Sequence, residues 1–153
     1  DALCLAIHRP AEVAGLLDEV LFSDPLQKGA FRALAAATDL HAAVSGAPPE
    51  VADLLHRLAV ADCDPELDPG ETFVRLVHPA ALSALHELER EVRDATRSGD
   101  TTREREAAAT AGAVRSEIEL LIGAGESPEA ASAALASAGR LVAWILQRQE
   151  NGP

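Results

Sequence analysis

Apolar residues recur along this chain at steps of three and four, and the clearest run lies between Arg103 and Ile122. Ala107, Ala111, Val114, Ile118 and Leu121 follow one another at steps of four, three, four and three. That spacing lays one apolar stripe along a helix and leaves charge on the other face. A second run, Ala131, Leu135, Ala138, Val142 and Ile145, repeats the device. Between the two, Gly123-Ala124-Gly125 ends one helix, and Ser127-Pro128 opens the next with Ser as N-cap and Pro in the first turn. Adjacent amphipathic helices with so short a connection predict an antiparallel hairpin over Arg103–Glu150.

Upstream, a long helix is expected from Glu71, with Phe73, Leu76, Val77, Ala81, Leu85, Leu88, Val92 and Ala95 inward. Pro79 lacks the N–H that the ladder needs, so a kink or break is expected near Val77–His78. From Glu87 to Arg97 the outer face alternates Glu and Arg, as in Glu89–Arg93 at i,i+4, which reads as a solvated face. Ser98-Gly99-Asp100 closes this helix, and Thr101 or Thr102 is expected to cap the next.

The first sixty residues carry shorter periodic runs. Leu3–His8 is stopped by Pro10. Ala11–Leu21 follows, with Val13, Leu16, Leu17 and Val20 on one face. Ser23-Asp24-Pro25 starts a helix to Ala37, weakened at Gly29 by roughly 1 kcal/mol relative to Ala. Asp39–Val44 adds a turn or two, Ser45–Pro49 breaks the pattern, and Glu50–Ala61 resumes it with Val51, Leu54, Leu55 and Leu58 inward. Asp62–Gly70 is acidic, holds two Pro and is the longest non-periodic stretch, so the domain boundary is expected there. The expected fold is therefore all-α. Residues 1–67 form a compact N-terminal helical bundle; residues 68–153 form a long, Pro-kinked helix and a C-terminal helical hairpin.

Composition sharpens this picture. Hydrophobic residues make up 48% of the 153, yet aromatics are only 3%, so the core is expected to be Leu, Val, Ile and Ala. A net charge of −12 opposes direct nucleic-acid binding and docking on an anionic membrane. No apolar run approaches 18 residues and no signal peptide is visible, so no membrane span is expected. Cys4 and Cys63 show no C-x-x-C pattern and read as free thiols of a reducing, cytoplasmic setting. Asp1 reads as the cut end of a segment from a longer protein.

The residues offer little chemistry. His86-Glu87-Leu88-Glu89 is followed by Arg90, so it is not a metalloprotease helix, and the five His do not cluster with Cys. Gly123-Ala124-Gly125 follows a helix rather than a strand, unlike a dinucleotide loop. Aspartates flank Cys63, the wrong setting for a nucleophile. No catalytic residue, cofactor or metal is expected. Trp144, the sole Trp, falls to one side of its helix's stripe, with Leu141 three positions before it and Arg148 four after. Leu141, Trp144 and Arg148 are either packing against the neighbouring helix or an exposed binding hot spot, a role in which Trp and Arg are enriched.

The opening apolar helix Leu3–Pro10, followed by Phe22-Ser23-Asp24-Pro25 and Phe31-Arg32-Ala33-Leu34, resembles the C-terminal helicase-binding domain of bacterial DNA primases of the DnaG type. Leu55-His56-Arg57-Leu58-Ala59-Val60, Phe73-Val74-Arg75-Leu76-Val77 and Leu82–Arg97 are similar to its later helices. The resemblance implies a non-catalytic, monomeric interaction domain. It would dock the primase on the N-terminal domains of the replicative hexameric helicase and modulate both enzymes, with the hairpin edge Leu141, Trp144 and Arg148 as contact. The N-terminal oligomerisation domain of that helicase is similar too, with an F-x-x-P-like stretch of its own. Chain length and the final hairpin favour the primase type.

Overall fold

The computed structural model describes residues 1–151; Gly152 and Pro153, the last two residues of the expected 68–153 segment, lie outside them. The described residues form eight α-helices and contain no strand. They are α1 Ala2–His8, α2 Pro10–Val13, α3 Pro25–Ala36, α4 Leu40–Gly46, α5 Pro49–Val60, α6 Pro69–Ser98, α7 Thr101–Ile122 and α8 Pro128–Asn151. The fold is thus all-α, with a bundle of short helices first, then one long helix and a helical hairpin.

Short 3-10 turns occur at Glu19–Leu21 and Gly123–Gly125. The chain divides into two compact units, Asp1–Leu76 and Val77 onward. The division falls inside α6 rather than at 67/68. The first turns of α6 belong to the N-terminal unit, where Thr72, Arg75 and Leu76 line one cavity with Ala2, Leu3, Phe22, Leu54 and Leu58.

In the N-terminal unit, α1, α3 and α5 pack on one another around Leu5, Ala30 and Leu55, all fully buried. Phe22 is buried and stacks on Phe31, with ring centroids 5.1 Å apart. The expected helix over Ala11–Leu21 is not formed. Gly15 adopts φ +80°, a left-handed conformation that ends α2 after one turn. Asp18 then turns the chain again by accepting the Val20 N–H at 3.0 Å. Gly29 also proves to be more than a weak point in α3. A Cβ there would meet Val51 Cγ2 of α5 at 3.1 Å, so its lack of a side chain lets α3 and α5 approach.

Three helix starts in this unit are set by aspartate side chains. Asp24 and Asp39 accept the Gln27 and Ala42 N–H groups, each at 2.8 Å, and cap α3 and α4. Asp68 accepts the Glu71 N–H at 2.7 Å with Pro69 next to it. This Asp-Pro pair starts α6 two residues before the expected Glu71.

Helix α6 runs unbroken through Pro79. The proline leaves the Arg75 carbonyl without its helical donor, but Arg75 and Pro79 are both exposed, so water can satisfy it. Val77 and Ala81, buried on either side, hold the helix in register. The helix closes at Gly99, φ +74°. The Asp100 N–H donates to the Ala95 carbonyl at 3.0 Å and the Gly99 N–H to Thr96 at 3.2 Å, the paired bonds of a Schellman cap. Asp100 caps α7 by accepting the Arg103 N–H, the role expected of Thr101 or Thr102.

In the second unit, α6, α7 and α8 are linked pairwise by three ion pairs. Glu89 of α6 meets Arg115 of α7 at 2.7 Å. Glu91 of α6 meets Arg148 of α8 at 2.6 Å, and Glu117 of α7 meets Arg140 of α8 at 2.7 Å. Glu89 therefore reaches across to α7 instead of pairing with Arg93 on its own face.

Candidate docking edge of the C-terminal hairpin

The stripe expected on α7 is the one buried: Ala107, Ala111, Val114, Ile118 and Leu121. The stripe on α8 is turned from the expected one. Ala131 and Leu135 are exposed, and the buried face is Ala134, Ser137, Ala138, Leu141 and Ile145. Small residues on both buried faces let the backbones of α7 and α8 come close.

One polar cluster fixes their register. The Ser137 hydroxyl, fully buried, lies 2.8 Å from the Glu117 carbonyl oxygen and also reaches the Glu117 carboxylate. Arg140 donates to the same carboxylate from Nε and Nη2. Donation from Arg140 first and Ser137 second holds the Glu117 carboxyl below its ordinary value.

The turned stripe decides the fate of the three candidate residues. Leu141 is 1% exposed and belongs to the hairpin core; it presents no surface of its own. Trp144 and Arg148 lie one turn apart toward the helix's C-terminal end and are partly exposed. The Arg148 guanidinium sits 5.4 Å from the Trp144 ring centroid, while its Nη2 donates to Glu91 Oε1 at 2.6 Å. Glu91 thereby holds Arg148 over the indole, and a ring pre-set in this way loses less side-chain freedom on meeting a partner. The structure joins Trp144 and Arg148 into one edge and removes Leu141 from it.

Other large apolar side chains of the hairpin are exposed: Leu120 and Ile122 fell on no expected stripe, whereas Leu135 was expected on the buried one. Leu120 and Ile122 stand out at the end of α7, Ile122 at 70% exposure, and Leu135 stands out on α8. The register set by Glu117 and Ser137 places Leu120 and Leu135 at the same level of the hairpin. The signal available for Leu120 and Ile122 was their position off the 107–121 stripe. Over its most apolar 18-residue window α8 reaches a mean hydropathy of 1.2, with 28% of that window buried. By length and composition alone this helix could cross a bilayer, although no unbroken apolar run predicts a span. Its apolarity rests heavily on alanine, and Arg140 and Arg148 on it are ion-paired to α7 and α6.

Among the described residues no three His, Cys, Asp or Glu side chains are grouped as a metal site. No protein-family model, curated protein or solved structure matches the chain.

Proposed function

We propose that this chain is a protein-interaction module, the helicase-docking domain of a bacterial primase of the DnaG type, seated on the N-terminal domains of the replicative hexameric helicase. The observation that carries the docking role is the outer surface of the hairpin. Its seam is closed by alanines, Ser137 and Leu141. A pre-set Trp144–Arg148 pair and the exposed Leu120, Ile122 and Leu135 are left outside that seam. Aromatic and Arg anchors beside apolar side chains are the usual energetic centres of protein interfaces. The choice of partner rests on the sequence resemblance: Phe22-Ser23-Asp24-Pro25, Phe31-Arg32-Ala33-Leu34 and the later helices.

Trp144 is the only tryptophan, so it reports its own contact. Titrating the chain with a tryptophan-free variant of the cognate helicase ring should shift and saturate the Trp144 fluorescence. Trp144→Ala, followed by calorimetry, should weaken binding by tenfold or more while leaving the helical circular dichroism unchanged. Absence of association at tens of micromolar would overturn the reading. Self-assembly of the chain into rings in sedimentation would favour the helicase's own N-terminal domain instead.

A further inference from the structure

We propose that the N-terminal unit carries a binding site for a small neutral ligand, largely apolar and bearing one hydroxyl group, in the cavity between α1, α5 and the start of α6. The cavity has a volume of about 330 Å³. Small-molecule pockets begin near about 300 Å³, and liquid water takes roughly 30 Å³ per molecule, so this space exceeds a packing defect. Leu3, Phe22, Leu54, Leu58 and Leu76 form its apolar wall. Stacking on Phe31 anchors the Phe22 ring, and Leu54, Leu58 and Leu76 are half-buried around the opening. All of the lining residues belong to the N-terminal unit, so the site is independent of the docking edge.

Thr72 supplies the polar feature. It lines the cavity at 4% exposure, and its Oγ1 has no hydrogen-bond partner among the described residues. A helical threonine can donate to the carbonyl four residues back. Thr96 and Thr110 do so, to Val92 at 2.9 Å and to Glu106 at 3.0 Å. Thr72 gives only its backbone N–H to the Asp68 carbonyl, at 3.0 Å, and keeps its hydroxyl free. A buried hydroxyl without a partner is unfavourable, and a ligand hydroxyl brought into the cavity satisfies it. Charge at the rim selects against an anion. Arg75 is the one cationic side chain among the lining residues, and Glu71 at 3.9 Å and Asp1 at 3.8 Å flank it. Two carboxylates outweigh one guanidinium for an incoming anion, and Arg75 in turn repels a cation. Exposed Gln27 adds only a neutral amide. The cavity therefore takes an uncharged alcohol or phenol.

The test is a methyl-detected NMR titration of the chain with para-propylphenol, propylbenzene and para-propylbenzoate. The phenol should give saturable shifts at the methyls of Leu3, Leu54, Leu58 and Leu76. Propylbenzene, which lacks the hydroxyl, should bind about fivefold more weakly, and the benzoate more weakly still. Thr72→Val, checked for native helicity, removes the hydroxyl at nearly constant shape and should bring the phenol down to the affinity of propylbenzene. Thr72→Ser should keep the preference for the phenol. No saturable shift at millimolar phenol, equal affinity of the phenol and propylbenzene for the unaltered chain, or tightest binding by the benzoate would each overturn the proposal. So would a folded Thr72→Val chain that still prefers the phenol. If the valine variant does not fold, the comparison of probes on the unaltered chain decides.

Discussion

The two units reach stability by different means. The N-terminal unit is made of short helices, and a short helix has a large share of its backbone at its ends, where N–H groups lack partners. Asp18, Asp24, Asp39, Asp64 and Asp68 each accept a backbone N–H in that unit. Its thirteen acidic and five basic residues leave a net −8, and much of that acidity is thus spent on backbone geometry. The C-terminal unit has three long helices, few ends and a net −4. Asp100 caps α7 there, but Glu89, Glu91 and Glu117 reach sideways, one Glu–Arg pair for each pair of helices. An acidic composition therefore does not by itself mark a surface for a basic partner. Element length decides whether a carboxylate is needed at a helix end or between helices.

The largest test of this comparison is to open each core. Leu55→Ala and Leu141→Ala remove fully buried side chains, one from each unit. Each should cost about 2–5 kcal/mol in chemical denaturation. A near-neutral Leu141→Ala would return that residue to the surface edge. Next is the small-residue seam. Ser137→Leu should force α7 and α8 apart and cost about 1–3 kcal/mol. The same Leu at exposed Ala136 should be close to neutral in the same denaturation series.

The caps come third. Asp24→Ala and Asp68→Ala should each cost about 1 kcal/mol, with Asn at either site restoring most of it, as read from thermal melts.

The smallest effect is electrostatic. Arg140 and then Ser137 lower the Glu117 carboxyl below its ordinary value of 4.5. A carboxyl held lower in the folded state than in the unfolded chain stabilises the fold fully above its unfolded pKa. That contribution fades as pH falls through the lower, folded value. Glu117→Gln should therefore flatten the acid limb of the stability–pH curve below about pH 4.5. An unchanged limb would mean that Glu117 and Arg140 are coupled too weakly to matter in water.

Much of the fold could be read from the chain alone. The stripe on α7 is buried residue for residue, since Val114, Ile118 and Leu121 contrast with the charged residues between them. The starts at Asp24-Pro25 and Ser127-Pro128 were equally legible, because capping is local chemistry that a few adjacent residues complete. Where local contrast is lacking, the reading slipped. α8 has alanine on every side, so its periodicity could not say which face turns inward. Packing of Leu141 and the bond from Ser137 to Glu117 chose that face.

Sequence by itself determined that the chain is helical, where most helices lie and where α3 and α8 begin, because those are questions of neighbouring residues. Tertiary structure alone decided that Gly15 would take a left-handed turn and that α6 would pass through Pro79. It also placed Trp144 and Arg148, without Leu141, on the outer edge. That edge depends on partners distant in the chain, Glu91 of α6 and the α7 face that buries Leu141, and burial free energy is settled only when such partners meet.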